Sequence, residues 1–236
     1  MTSETILRIK DLHAWYGESH VLHGVDLEVR KGEVVTLLGR NGAGRTSTLR
    51  AIMGLTGRRA GSISVFGQET IATPPHKIAR LGVGYCPEER GIFSTLSTGE
   101  NLLLPPKVAA KGGMSVDQIF AMFPNLKERL SSPGTKLSGG EQQMLAVARI
   151  VRTGAQLLLL DEISEGLAPV IVQTLGRMIR DLKALGYTIV LVEQNFRFSA
   201  GLADRFYVMD GGKVVHHLRN DELAANATML QEFLGV

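Results

Sequence analysis

The chain has 236 residues, enough for one large α/β domain or a core with a small subdomain, and with 44% hydrophobic and 21% charged residues it falls among globular rather than disordered or fibrous chains. Its net charge of +3 comes without any Lys/Arg run of the kind that binds nucleic acid, and its one cysteine, Cys86, excludes an intramolecular disulfide or a cysteine-based metal cluster. No apolar run approaches the roughly 20 residues of a membrane-crossing helix, and Met1-Thr2-Ser3-Glu4 is not a basic stretch leading into an apolar one, so a cytoplasmic chain without an export signal is expected.

Residues 6–15 and 21–29 alternate apolar and polar side chains around the turn Tyr16-Gly17-Glu18, a pattern that predicts two antiparallel strands. Glu33-Val34-Val35-Thr36-Leu37-Leu38 is an apolar strand that runs into Gly39-Arg40-Asn41-Gly42-Ala43-Gly44-Arg45-Thr46. This is the phosphate-loop pattern G-x-x-x-x-G-K-[ST] with Arg45 at the lysine position. Small residues let successive backbone N–H groups close around phosphate oxygens, and the helix predicted over 48–53 adds its positive N-terminal end.

A short strand follows between Gly61 and Gly67. Residues 87–135 then change character, with Pro and Gly punctuating helical segments such as 116–123. They read as a helical subdomain inserted between core segments 1–86 and 136–236. The core resumes with a helix from Gly139, a strand over 157–160, a helix over 171–185 and a strand over 188–192. A hairpin of 205–209 and 213–217 across Asp210-Gly211-Gly212 leads to a short helical tail. Strands alternating with helices around a phosphate loop argue for a mostly parallel sheet.

Two downstream stretches carry chemistry. Leu137-Ser138-Gly139-Gly140-Glu141-Gln142-Gln143 opens a helix with the capping box S-x-x-E, which accounts for Ser138 and Glu141. It does not account for two glycines in the first turn, each costing about 1 kcal/mol as a helix residue, whereas bare N–H groups suit a phosphate. The apolar strand Leu157-Leu158-Leu159-Leu160 ends in two acids, Asp161 and Glu162.

Taken in order, Tyr16, the loop 39–46, 138–143, 157–162 and 164–168 resemble an ATP-binding cassette (ABC) subunit over essentially the whole chain. Pro87-Glu88, Leu145-Ala146-Val147-Ala148-Arg149, Gly166-Leu167-Ala168-Pro169, Leu191-Val192-Glu193-Gln194-Asn195 and the closing Phe233-Leu234-Gly235-Val236 are similar to the ATPase subunits of high-affinity branched-chain amino-acid importers. The resemblance implies a P-loop NTPase fold of the ABC ATPase type: an α/β core with a mixed sheet, an N-terminal antiparallel β part and a helical subdomain. It also implies ATP and Mg²⁺ as cofactors. Gly39, Arg40, Asn41, Gly42, Ala43, Gly44 and Arg45 would hold the phosphates, with Ser47 on the α-phosphate and Thr46, Asp161 and Glu88 toward Mg²⁺. Glu162 would polarise the attacking water, Gln194 would meet the γ-phosphate, and Tyr16 would stack on adenine, with Trp15 the competing aromatic. Ser138, Gly139, Gly140 and Glu141 would cover the ATP of a second cassette subunit, arranged head to tail in a homo- or heterodimer. The further partners implied are membrane permease subunits docked beside residues 87–92 and, indirectly, a periplasmic solute-binding protein. The implied location is peripheral, on the cytoplasmic face of the bacterial inner membrane.

Four positions depart from the common cassette pattern: Arg45 for lysine, Ile163 for proline, Glu88 for glutamine and Gln194 for histidine, the last two being usual in the importer subgroup. Arginine keeps the charge but presents a broad planar fork, which leaves two readings open: an ATPase driving uptake, or a hydrolysis-poor partner gated by nucleotide. Urea or another small amide stands as an alternative solute. A soluble cassette of translation or DNA repair, which usually has two tandem cassettes or zinc-binding cysteines, fits poorly with one loop and one cysteine.

Overall fold

In the computed structural model, residues 4–108 and 112–234 are described; Met1-Thr2-Ser3 and the closing Gly235-Val236 lie outside them. The alternating N-terminal segments form β1 (Thr5–Tyr16) and β2 (Ser19–Arg30), paired antiparallel from Thr5 opposite Arg30 to Tyr16 opposite Ser19. With β4 (Arg58–Val65) and the short β5 (Gln68–Glu69) they make a four-stranded sheet ordered β2-β1-β4-β5.

The second sheet contains β3 (Val34–Leu38), β6 (Val83–Cys86), β7 (Leu157–Asp161), β8 (Thr188–Val192), β9 (Arg205–Asp210) and β10 (Lys213–Arg219), ordered β10-β9-β3-β8-β7-β6. Its strands run parallel except for β10, which pairs antiparallel with β9 at one edge. β3, β7 and β8 are buried along their whole length, so they are continuous apolar runs where β1 and β2 alternate.

Their period of two divides the interior. Val35, Leu37, Leu157, Leu159, Val190 and Val192 pack toward the antiparallel sheet and α1 (Arg45–Ile52), while Val34, Leu38, Leu158, Leu160, Ile189 and Leu191 pack toward α6 (Gly139–Arg152) and α7 (Pro169–Ala184). In the inserted region, α3 (Thr98–Leu103), α4 (Val116–Met122) and α5 (Pro124–Glu128) lie against α6. Leu102, Ile119, Phe123 and Leu126 therefore join Met144, Leu145 and Val151 in one apolar cluster, and α6 bridges the inserted helices to the sheet.

Element boundaries moved where caps decide them. The helix expected from residue 48 starts at Arg45, directly after Gly44 in a left-handed conformation. The helix expected from 171 starts at Pro169, a residue whose fixed φ suits the first helical position. Elements that carried too little periodicity to be predicted include β5, α2 (Pro75–Arg80), β6 and α8 (Phe196–Ala200). The helical tail is α9 (Ala227–Leu234).

Candidate nucleotide-binding and catalytic site

The loop between β3 and α1 is shaped by glycines with different reasons to be glycine. A Cβ on Gly39 would lie 2.4 Å from the Met209 carbonyl oxygen and one on Gly44 2.9 Å from Leu22 Cδ2, whereas Gly42, at φ 81°, faces open space. The first two are closed against β9 and β2, and the third leaves the concave side of the loop clear. Helix α1 has neither a side-chain cap nor an acidic residue in its first turn, so its N-terminal N–H groups and partial positive charge are left for an anion. A cleft of about 430 Å³ opens there, lined by Asn41, Gly42, Ala43, Gly44, Arg45, Thr46 and Ser47 together with Val21, Glu88, Glu162 and Glu165.

Arg45 is only 4% exposed, and its Nη2 donates to Glu162 Oε1 at 2.9 Å and to Asn41 Oδ1 at 3.3 Å. Its other terminal nitrogen, Nη1, is buried without a hydrogen-bond partner. A buried cationic donor left unpaired beside an uncapped helix end fits phosphate oxygens.

At the tip of β7, Asp161 is fully buried. Its Oδ1 accepts from the Thr46 hydroxyl at 3.0 Å and its Oδ2 from the Tyr85 hydroxyl at 3.1 Å. Burial raises its pKa while these two hydroxyls oppose the rise. Among the described residues no cluster of three His, Cys, Asp or Glu could hold a metal by itself. The oxygens of Thr46, Asp161 and Glu88 instead suit Mg²⁺ carried in with phosphates, an ion that keeps several waters and takes few protein ligands.

Glu162 sits at φ 47°, a left-handed backbone uncommon for a residue with a side chain, and its N–H donates to the Val192 carbonyl at 2.9 Å. Burial pushes its carboxyl up to about 7; Arg45 works against that shift, and Glu165 and Glu88 add to it. A carboxylate tuned upward at the mouth of a phosphate cleft can take a proton from water.

The two candidate aromatics stand in different surroundings. Trp15 has Arg58 of β4 4.1 Å from its ring centroid and the His20 ring of β2 stacked on it at 4.2 Å, nearly parallel at 9°. Because β1 lies between β2 and β4, the two neighbours close on opposite faces of the indole. Tyr16 remains 37% exposed, near Arg50, which pairs with Glu89 at 3.4 Å.

Of the remaining expected positions, Arg40 points away and donates to the Glu232 carbonyl at 2.8 Å. Gln194 is exposed in an adjoining groove of about 1250 Å³ that Glu162, Ser164 and Glu193 also line. Ile163 is buried in the apolar cluster beneath α7.

The capping box at α6 is present: Glu141 N donates to Ser138 Oγ at 3.3 Å and Ser138 N to Glu141 Oε2 at 2.7 Å. None of Ser138, Gly139, Gly140 or Glu141 is among the residues lining the phosphate cleft. The expectation that the two glycines lack a structural reason is corrected at Gly140. A Cβ there would fall 2.7 Å from Ile171 Cγ2, so close packing of α6 on α7 already demands glycine. At Gly139 the nearest neighbours of a Cβ would be Arg90 Nη2 at 3.3 Å and Leu167 Cδ2 at 3.4 Å, a crowding that side chains can relieve.

Sequence reasoning did not single out Tyr85, Arg50 or Glu193. Each acts through a partner distant in sequence, and no local pattern announces that.

The profile of the family described as ABC transporter matches residues 22–165, from β2 through the loop and the acidic pair. The chain belongs to the ATP-binding cassette family. As an ABC ATPase subunit it has full-length relatives. The high-affinity branched-chain amino acid transport ATP-binding protein BraG of Pseudomonas aeruginosa is 40% identical over 232 residues, 98% of this chain and 100% of the relative. The lipopolysaccharide export system ATP-binding protein LptB of Escherichia coli K12 is 31% identical, covering 97% of each chain. A crystal structure of a nucleotide-free ATP-binding cassette from an ABC transporter superposes with a TM-score of 0.83 at 21% identity, over 98% of this chain and 99% of that one. That last likeness establishes the cassette fold, as expected: an α/β core, an antiparallel N-terminal sheet and inserted helices.

Proposed function

We propose that this ABC ATPase subunit binds and hydrolyses ATP to power uptake of branched-chain or related small amino acids through partner permeases. The observation that carries the ATPase reading is the convergence of Thr46, Asp161 and Glu162 at one end of an uncapped, glycine-lined phosphate cleft. The loop 39–47 holds the triphosphate by backbone N–H groups and Arg45, with Tyr16 offered to the adenine. Thr46, Asp161 and Glu88 would hold the nucleotide's Mg²⁺, which would supply charge neutralisation on the phosphates when bound. Glu162 accepts the proton of the water aimed at the γ-phosphate, and Gln194, a hydrogen-bond donor without a titrating proton, reports the γ-phosphate from the end of β8.

Residues 138–141 complete the site of a second cassette subunit, so closure of the pair depends on ATP. Placement on the cytoplasmic face of the inner membrane, peripheral to the permeases and served by a periplasmic solute-binding protein, follows from the importer reading. The solute assignment rests on the 40% identical relative, whose name states branched-chain amino acid transport; relatives named for lipopolysaccharide export stand at 31–32%. Uptake of labelled leucine by proteoliposomes carrying the co-purified permease complex tests it. ATP-dependent leucine accumulation is expected, and a complex that hydrolyses ATP without moving any branched-chain or small amide solute overturns the assignment.

The Arg45–Glu162 ion pair supports a second reading, in which this chain binds nucleotide and closes while a lysine-bearing partner cassette does most of the hydrolysis. The ATPase rate of the purified chain, alone and with its native partner, separates the two.

A further inference from the structure

Behind Glu162 lies a carboxylate that the reaction described above does not use. Glu193, directly after β8, is 1% exposed. Its Oε1 accepts from the Ser164 backbone N–H at 3.0 Å and its Oε2 from the Ser164 hydroxyl at 2.7 Å. Ser164 is itself buried, two residues beyond Glu162. Between them the chain makes a tight turn, closed by the Glu165 N–H donating to the Glu162 carbonyl at 3.2 Å. Glu162 enters that turn at φ 47°, a strained backbone that persists only where its surroundings over-determine it.

We propose that Glu193 is a positioning residue for Glu162: by accepting both hydrogen bonds of Ser164 it locks the turn that holds Glu162 at the phosphate cleft. The inference rests on Glu162 being the base. A buried carboxylate is costly unless it is fully hydrogen-bonded, and this one spends its two oxygens on a single residue of the turn. The neighbouring strand end shares the task, since the carbonyl of Val192 receives the Glu162 N–H. The pair thus couples the end of β8, which leads into Gln194, to the turn after β7. Neither Glu193 nor Ser164 lines the phosphate cleft, so the coupling acts on the geometry of the chemical step and not on nucleotide binding. A base displaced by about 1 Å can cost on the order of a hundredfold in rate.

The test uses the full chain with its partner subunits. Steady-state ATPase gives kcat, a fluorescent ATP analogue gives affinity, and hydrogen–deuterium exchange reads residues 162–165. Glu193→Ala is expected to lower kcat about 10- to 100-fold with nucleotide affinity unchanged within about twofold, and to accelerate exchange of the Glu162 and Ser164 amides. Glu193→Gln keeps an acceptor for the Ser164 N–H and gains a donor for its hydroxyl, so kcat recovers to within about threefold of the parent. Adding Ser164→Ala to Glu193→Ala costs no more than Glu193→Ala by itself, because the two residues form one linkage. An unchanged kcat or unchanged exchange in Glu193→Ala overturns the proposal, as does a loss of affinity that parallels the loss of rate. Should Glu193→Ala not fold, Ser164→Ala decides in its place: slower turnover with faster exchange supports the linkage, and neither change overturns it. If the parent complex neither binds nor hydrolyses ATP, the ATPase reading fails, and the exchange measurement still decides whether Glu193 holds the turn.

Discussion

At the scale of single residues, the site turns on Arg45 and the carboxylate it faces. A lysine at this position would end in one compact ammonium; the guanidinium here spreads its charge over a fork that already holds Glu162 and Asn41. Arg45→Lys is expected to release Glu162 and raise kcat several-fold while ATP affinity changes by less than about twofold, read from steady-state kinetics beside nucleotide titration. An equal or lower kcat would mean the loop has adapted to arginine. Arg45→Ala should weaken ATP binding by about 1.5–3 kcal/mol through loss of charge-assisted hydrogen bonds, and full affinity would remove this side chain from the binding account. Glu162→Gln keeps the shape but not the proton acceptor, so turnover should fall at least about a hundredfold with ATP still bound, checked by single-turnover hydrolysis.

Glu193 supplies the pH dependence. Burial pushes its carboxyl up to about 7 from an ordinary 4.5, so the folded state holds a proton that the unfolded chain gives up earlier. That contribution to stability is complete below about pH 4.5 and is lost as pH rises through 7. Glu162 shifts the same way. Comparing Tm between pH 5 and 8 for the parent and Glu193→Gln isolates the first group: the variant should lose less of its Tm on going to pH 8.

At the scale of elements, the start of α6 serves packing and cap at once. Gly140→Ala forces a methyl into Ile171 and should destabilise the fold by about 1–3 kcal/mol, as overpacking does, with partial recovery when Ile171→Ala is added; chemical denaturation of both variants checks it. A variant at Gly140 therefore confounds binding with folding, and Ser138 is the cleaner probe. Ser138→Ala should cost about 1 kcal/mol for the lost cap. Ser138→Arg should leave ATP binding to the single chain intact yet block ATP-dependent pairing seen by light scattering, since 138–141 stand away from this chain's own phosphate cleft. Loss of binding in the single chain would place these residues at the wrong site.

At the scale of the whole molecule, the two apolar clusters lie on opposite faces of the parallel sheet, and the phosphate loop leaves that sheet at the end of β3. A ligand seated there would touch both the loop after β3 and Glu162 at the end of β7. Mg·ATP at about 100 times its Kd should stabilise the fold by about 2.7 kcal/mol. For a chain of this size that corresponds to a rise in Tm of roughly 5–10 °C. Chelating Mg²⁺ should reduce the rise and Arg45→Ala should remove most of it; a nucleotide-independent Tm would count against the cleft as the binding site.

The phosphate loop, the cap at Ser138, the acidic pair after β7 and the family were legible in the sequence, because each is a local pattern whose meaning lies in spacing along the chain. The alternation of β1 and β2 and the uniform apolar runs of β3, β7 and β8 were legible for the same reason: one sheet is half solvated and the other is covered on both faces. Only the tertiary structure set Trp15 and Tyr16 in different surroundings, since the neighbours that cover the indole come from two other strands. It also decided the reason for Gly140, which lies on α7, and the state of Arg45, whose partner is 117 positions away. Glu193 stands with them: its charge can be read in the sequence, but its burial and its grip on Ser164 arise only when β7 and β8 are laid side by side.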